Sequence, residues 1–342
     1  MCISFFSKKK LRKMETKEIK LPEYILKEKF NIKLDEIAGL EKAKEALKEL
    51  IINPDKIPTI LEKNQNPLKG ILLYGFPGVG KTYLAKAIGT EFKGIFLTVF
   101  GTTILSKWNS QSKPERIIKD LFDYAKKNKP AVIHLDEIDF ITKTNNENDI
   151  MNDTTRKLKQ EFLNQMQNLN SDDGVVVLCV AQKPWELDPL IMKCFQKKIY
   201  INLPELNARK KLFELNLKNT SHTLTNEQIE YLAKNTELFS CSDIYTLIQE
   251  AIYEPIKKCM KRGYFKKIKG MNGLEWNYIP CEENEPEAIK MKMEEITNPK
   301  EILFPKANFD DFKAALERAK PSITKEELIK YEKFYKEYGQ EE

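Results

Sequence analysis

The chain has 342 residues, enough for two or three structural units each with its own core. Hydrophobic residues at 41% beside charged residues at 32% exclude a disordered polymer and suit a charge-rich globular protein. The net charge of +6 is too small an excess to imply nucleic acid, no apolar run approaches the ~20 residues of a membrane helix, and six scattered cysteines with no Cys-x-x-Cys pair offer no metal site and suggest a reducing compartment.

At the start, Ile3, Phe5 and Phe6 precede Lys8, Lys9, Lys10, Arg12 and Lys13. The apolar stretch is too short, and lies on the wrong side of the charges, for a secretory signal. Cys2 beside a basic cluster is a candidate for acylation at an anionic membrane, while a basic tail without structure is the plainer expectation. Residues 1–30 are therefore expected to be tail and linker, and residues 31–204 a large α/β domain. That domain opens with a helix carrying Leu40, Ala43, Leu47, Leu50 and Ile51 on one face. Five apolar runs then alternate with helical segments: Ile71–Tyr74, Ile95–Phe100, Ala131–Leu135, Val175–Ala181 and Ile199–Leu203. Continuous β-rich runs of this length predict a five-stranded parallel sheet with helices on both faces. Leu158, Phe162, Met166 and Leu169 mark the face of a connecting helix, and Cys179, inside the fourth run, is expected in the core.

After Pro204 helical patterns take over, so residues 205–320 form a small helical domain. Thr225-Asn226-Glu227-Gln228 is a capping box, and Ser242-Asp243 opens a further helix with Ile244, Leu247, Ile248 and Ala251. Between about 264 and 296, Ile289, Met291 and Met293 alternate with lysines and Gly270, Asn272 and Gly273 supply turns, which predicts a β insertion. Helical spacing returns at Phe309–Ala319. Residues 321–342 form a last helix, opened by Thr324 with Glu327 and burying Leu328, Tyr331, Phe334, Tyr335 and Tyr338.

Two segments carry chemistry. The first strand runs into Gly75-Phe76-Pro77-Gly78-Val79-Gly80-Lys81-Thr82 and then a helical run from Tyr83, which is a P-loop in its required setting of strand, loop and helix. Its glycines let backbone N–H groups and a helix N-terminus face an anion. Pro77, Gly78, Val79, Gly80, Lys81, Thr82 and Tyr83 are thus expected to hold ATP, with Lys81 on the β- and γ-phosphates and Thr82 on Mg²⁺. The third strand ends in Asp136-Glu137. Two acids at the C-terminal end of a parallel strand stand where such sheets bind ligands, Asp136 for Mg²⁺ and Glu137 to polarise the attacking water. His134 is expected to be a packed strand residue rather than a catalyst.

With these motifs the sequence resembles AAA ATPases of the meiotic clade, most closely the vacuolar-protein-sorting-four branch, from about Asp35 onward. Ile37-Ala38-Gly39-Leu40-Glu41 is similar to a motif whose backbone contacts adenine, which assigns Ala38 and Gly39 to the nucleotide. The insertion and the ending Tyr331-Glu332-Lys333-Phe334 resemble the branch's β domain and last helix. The resemblance implies a homo-oligomeric ring, a hexamer, that threads polypeptide through its pore and disassembles ESCRT-III-like polymers. It implies a cytoplasmic enzyme, peripheral on endosomal membranes at most, with a cofactor protein at the β insertion and no nucleic acid partner. Lys107 and Trp108 fall at the place of the aromatic pore loop, and Asn145–Asp153 at the place of the second pore loop.

Four departures qualify the resemblance. Gln182 stands where the family has Asn after the fourth strand. Lys193 and Cys194 occupy the two arginine-finger positions, with Lys197 or Lys198 as substitutes if the register differs. Cys241, followed by Ser242 and Asp243, replaces a Gly beside the adenine. The residues before the ATPase domain are too few for the family's three-helix N-terminal module, so recruitment is expected through the tail, the pore, the insertion or an adaptor. The expected catalytic set is Glu137, Gln182 and Lys193, with slow turnover because an arginine finger contributes about 10³–10⁵ in rate. A katanin- or spastin-like severing enzyme and a nucleotide-binding scaffold with little turnover are the alternatives; a helicase lacks a basic-aromatic surface.

Overall fold

A parallel strand covered on both faces has no solvent side, so its sequence is apolar throughout. β1 (Gly70–Gly75) and β3 (Ala131–Asp136) meet that condition, every residue of both being buried. With β2 (Ile95–Phe100), β4 (Val175–Ala181) and β5 (Lys197–Ile201) they form one parallel sheet in the order β2-β3-β4-β1-β5. The structure is a computed structural model that describes residues 30–53, 68–106, 114–139, 150–270, 276–291, 295, 296, 298 and 301–339.

Alternate strand residues supply two separate cores, as the period of two requires. Leu72, Ile133, Val177 and Cys179 point to one face and meet Ile118 and Phe122 of α4 (Pro114–Lys127) and Leu158 and Phe162 of α5 (Ile150–Gln167). Ile71, Leu73, Leu178 and Ile199 point to the other. They meet Leu47 of α1 (Glu41–Leu47) and Leu84 and Ile88 of α2 (Lys81–Glu91). The first predicted helix is in fact α1 continued by a π turn, Lys48–Ile52, which keeps Ala43, Leu47 and Ile51 buried and leaves Leu40 and Leu50 at the margin. The short α3 (Gly101–Ser106) follows β2, and α6 (Pro189–Met192) precedes β5.

The fifth strand is displaced by two residues from the apolar run Ile199–Leu203. As an edge strand it pairs only with β1, so its lysines can face outward and still join the ladder, Ile71 lying opposite Lys197. It stops at Ile201 because the Asn202 side chain accepts the Leu203 N–H at 2.7 Å and turns the chain.

The second unit packs α7 (Leu206–Leu217), α8 (Asn226–Lys234), α9 (Cys241–Arg262) and α10 (Phe309–Arg318) around Phe213, Leu247, Ile248 and Phe312. The predicted Thr225–Gln228 box caps α8. The start of α9 differs from expectation: Ser240 is its N-cap, accepting the Asp243 N–H at 3.1 Å while Asp243 accepts the Ser240 N–H at 2.8 Å. A reciprocal box needs a spacing of three, which Ser240 has and Ser242 lacks. The insertion is an antiparallel sheet of β6 (Tyr264–Lys269), β7 (Trp276–Pro280) and β8 (Ala288–Lys290), in the order β7-β6-β8. β8 has only three residues, and Ile289 is 44% exposed rather than turned inward; Met293 lies outside the described residues.

α11 (Lys325–Tyr338), capped by Thr324 and Glu327 as predicted, returns to the large domain. It buries Tyr331 and Phe334 against Phe76 and Tyr74, but leaves Tyr335 and Tyr338 37% and 44% exposed. A helix lying on a sheet edge buries one stripe, and the two outer tyrosines flank it.

Candidate nucleotide site

β1 delivers the chain to the P-loop, and α2 begins at Lys81 behind Gly80. Gly78 has φ +75°, and a Cβ there would lie 2.8 Å from the Ser242 Cβ. The loop therefore touches the N-terminus of α9 directly, and the Ser242 N–H donates to the Gly78 carbonyl at 3.1 Å. Lys81 turns back and donates to the carbonyls of Gly75 and Phe76 at 2.8 and 2.6 Å. Burial pushes its amine down to about 8, while Asp136 and Asp139 pull it upward. A buried cation beside a helix N-terminus, hydrogen-bonded to backbone carbonyls, is a complement to phosphate.

The Thr82 hydroxyl donates to Asp136 Oδ2 at 2.7 Å, joining α2 to the end of β3 across 54 residues. A hydroxyl and a carboxylate oxygen side by side are the hard donors that Mg²⁺ takes. The residues therefore fit the metal the sequence implies. Asp136 Oδ1 accepts the N–H of Glu137 at 2.9 Å, and Glu137 adopts φ +56°. A left-handed backbone is strained for this residue type and persists where the surroundings enforce it. His134 is buried, with Nδ1 3.4 Å from the Thr98 hydroxyl, and burial pushes it down to about 4, so it is a neutral packed residue as expected.

One member of the site escaped the sequence reading. Asp139 is 6% exposed and accepts the backbone N–H groups of Gln182 and Lys183 at 2.8 and 3.0 Å. It fixes the exit of β4, where the exposed Gln182 stands. The signal was a third acid two residues beyond Glu137, next to Ile138, whose N–H donates to Val180 at 3.0 Å.

Ala38, Gly39, Val79, Ala208 and Cys241 line a cleft of about 750 Å³ between the two units. Gly39 has φ +66°, and a Cβ there would lie 2.8 Å from the Ala208 Cβ. The Cys241 thiol points toward the Val79 carbonyl at 3.6 Å. Burial pushes that thiol up to about 11, so it stays protonated. The side chain thus lies against the P-loop. Tyr83 is 47% exposed on the first turn of α2.

Lys193 does not join this group. Asp188 caps α6 by accepting the Leu190 N–H at 2.7 Å, and the exposed Lys193 follows at the helix's end. Gln196 then ties to Gly70, the first residue of β1, at 2.8 Å. Lys193 and Cys194 thus lie near the N-terminal end of β1, a strand's length from the P-loop at its other end, about 20 Å for six residues. Lys198 is held inward by the Phe195 carbonyl at 3.0 Å, and Lys197 lies within β5. Lys107 and Trp108 lie outside the described residues. Among the described residues no cluster of His, Cys, Asp or Glu forms a metal site by itself, and no helix is long and apolar enough to cross a membrane.

Comparison with known proteins agrees with this geometry. Residues 71–203 match the ATPase family associated with various cellular activities (AAA), and residues 278–339 match the Vps4 C terminal oligomerisation domain. Mouse vacuolar protein sorting-associated protein 4B is 38% identical over 325 residues, covering 93% of this chain and 72% of the relative. A spastin homolog of Caenorhabditis elegans is 39% identical, over 66% of this chain and 44% of its own length. Among solved structures, the FIGL-1 AAA domain in complex with ADP superposes with a TM-score of 0.72 at 28% identity, covering 93% of this chain and 94% of that one. An intact P-loop facing Asp136-Glu137, a helical lid with a β insertion and a returning last helix place the chain in the vacuolar protein sorting-associated protein 4 family of AAA ATPases.

Proposed function

We propose that the protein is an ATP-driven motor that disassembles protein polymers of the ESCRT-III class, acting as a homo-oligomeric ring, a hexamer by family resemblance. The observation that carries this is the joint likeness to the vacuolar protein sorting-associated protein 4 relatives over 93% of the chain, lid and last helix included. The spastin-like alternative is weaker because its likeness covers only 66%.

In this scheme the amide cradle of Gly78–Thr82 takes the ATP phosphates and Lys81 exchanges its two carbonyl partners for phosphate oxygens. Thr82 and Asp136 hold Mg²⁺, which when bound neutralises charge on the phosphates. Glu137, fixed by the N–H bond to Asp136, accepts the proton of the attacking water. Gln182 orients that water or the γ-phosphate from the end of β4. Lys193, remote from its own P-loop, serves a neighbour's nucleotide across the ring boundary. Ala38, Gly39, Cys241 and Ser242 enclose the adenine side, and Lys107 and Trp108 grip polypeptide in the pore. The same scheme has a cytoplasmic protein, peripheral on endosomal membranes at most, with a cofactor protein at the β insertion and no nucleic acid partner.

One observation favours a second reading. Lys193 and Cys194 in place of two arginines remove the planar fork that stabilises the transferred phosphoryl group, which suits a slow or scaffolding subunit of a mixed ring. Phosphate release by the purified protein, alone and with preformed ESCRT-III-type filaments, separates the two. Filament-stimulated turnover with loss of filaments supports the motor, and nucleotide binding without turnover supports the scaffold.

A further inference from the structure

We infer that Tyr331, on the last helix, is a positioning residue for ATP hydrolysis, holding Gln182 at the end of β4 in place for the reaction. The inference rests on the assignment of Gln182 to the γ-phosphate or the attacking water, and it adds a residue 149 positions away in sequence.

The Tyr331 hydroxyl donates to the backbone carbonyl of Gln182. On the other side, Asp139 Oδ2 accepts the Gln182 N–H at 2.8 Å. Both backbone polar groups of Gln182 are therefore engaged, one from the acidic strand end and one from α11. A residue just past the end of a strand loses its ladder partners, and two fixed bonds replace them. The Gln182 side chain is exposed and free to reach outward from this anchored backbone.

The same ring also touches the phosphate loop. Tyr331 packs on Phe76, with ring centroids 4.0 Å apart, and on Trp185 at 4.7 Å. Phe76 is the residue whose carbonyl holds Lys81 at 2.6 Å. One side chain of the last helix thus joins the P-loop to the exit of β4. Burial, and then the charge of Asp139, push the Tyr331 phenol upward, so it remains a donor across the physiological range. Gln182 is one methylene longer than the family's Asn, and a firmly placed backbone narrows where the longer side chain can carry its amide.

The start of the same segment is tied to the lid. Ser322 donates its hydroxyl to Asp243 Oδ2 at 2.9 Å, on the capping box of α9. Lid and β4 exit are therefore linked through fewer than ten residues of chain, so docking of the last helix is connected to the chemistry.

A double-mutant cycle on assembled protein tests this. Tyr331→Phe keeps the ring and its packing on Phe76 and Trp185 and removes only the hydroxyl. Loss of one neutral hydrogen bond is expected to lower kcat about three- to tenfold, with KM for ATP changed less than about twofold. In a Gln182→Ala background the same substitution should have no further effect, because the group it positions is gone. Sedimentation in ATP accompanies each variant so that rates are compared at equal assembly. If Gln182→Ala is slow but Tyr331→Phe matches the parent, or the two losses multiply, Tyr331 does not act through Gln182 and the inference fails alone. If Gln182→Ala itself turns over like the parent, the assignment of Gln182 fails and takes the inference with it.

Discussion

The Thr82 hydroxyl and Asp136 Oδ2 stand 2.7 Å apart, although they come from the first turn of α2 and the end of β3. β1 and β3 are not neighbours; β4 lies between them in the sheet. The P-loop nonetheless brings its hydroxyl over the end of β3, because Gly80 with φ +96° lets α2 start at once. The fold thus brings together the hydroxyl and the acid that a metal would join.

Lys81→Ala is expected to weaken binding of a fluorescent ATP analogue by at least about 100-fold, some 2.7 kcal/mol. The apo protein should melt no lower than the parent. The Lys81 amine is buried and hydrogen-bonded to two carbonyls, and burial outweighs the pull of Asp136 and Asp139, so removing it also removes a desolvated charge. Parent-like affinity would remove the phosphate assignment, and a large loss of apo stability would show that Lys81 is structural.

Gly39→Ala should cost about 2 kcal/mol of stability: about 1 for a left-handed backbone and the rest for the 2.8 Å approach to the Ala208 Cβ. In an Ala208→Gly background the same change should cost about 1 kcal/mol less, since the steric part is gone. Denaturant melts of the four proteins check this. Equal costs in both backgrounds would mean that the N-terminal motif does not press on α7.

Asp188 links pH to α6, the helix that ends just before Lys193. Burial raises its carboxyl, but the Lys159 ammonium and the N–H of Leu190 outweigh that and hold it below the ordinary carboxylate range. A depressed folded-state value contributes stability above the unfolded value and loses it as pH falls through the folded one. Asp188→Asn keeps a capping side chain and deletes the charge. It should cost about 1 kcal/mol at pH 7, with the difference from the parent flat down to about pH 5 and shrinking below the ordinary carboxylate range. A difference independent of pH would contradict the ion pair with Lys159.

Lys193→Arg combined with Cys194→Arg should raise turnover at least about tenfold, equivalent to about 1.4 kcal/mol of barrier. Because both residues lie near the far end of β1 from their own P-loop, the gain should appear only where sedimentation shows assembly. A gain in dilute monomer, or none in a verified ring, would remove Lys193 from the boundary.

The sheet and the P-loop were legible because their signals are local. β2 and β4 have the bounds of their apolar runs, and the phosphate loop declares itself within eight residues. What stayed hidden depends on distant pairing. The edge position of β5 moved its limits, since an apolar run cannot say which ladder it joins. Ser240 rather than Ser242 caps α9 because reciprocity selects the spacing. Asp139 and Tyr331 reach Gln182 from 43 and 149 positions away, and no periodicity announces a backbone hydrogen bond. Nothing in the fold explains why Cys194 stands where the family has an arginine: it packs at the edge of the core, and its thiol meets the Leu190 carbonyl at 3.5 Å.

The claim that this site hydrolyses ATP to drive an assembled motor is tested most directly by Glu137→Gln. The substitution keeps size and backbone and removes the carboxylate that takes the proton from water. Phosphate release and sedimentation should be read from the same samples in ATP and Mg²⁺. ATP affinity within about threefold of the parent, phosphate release lowered by at least about 100-fold and accumulation of a large ATP-bound ring are the expected result. Parent-like phosphate release, or loss of ATP binding together with assembly, would contradict the account.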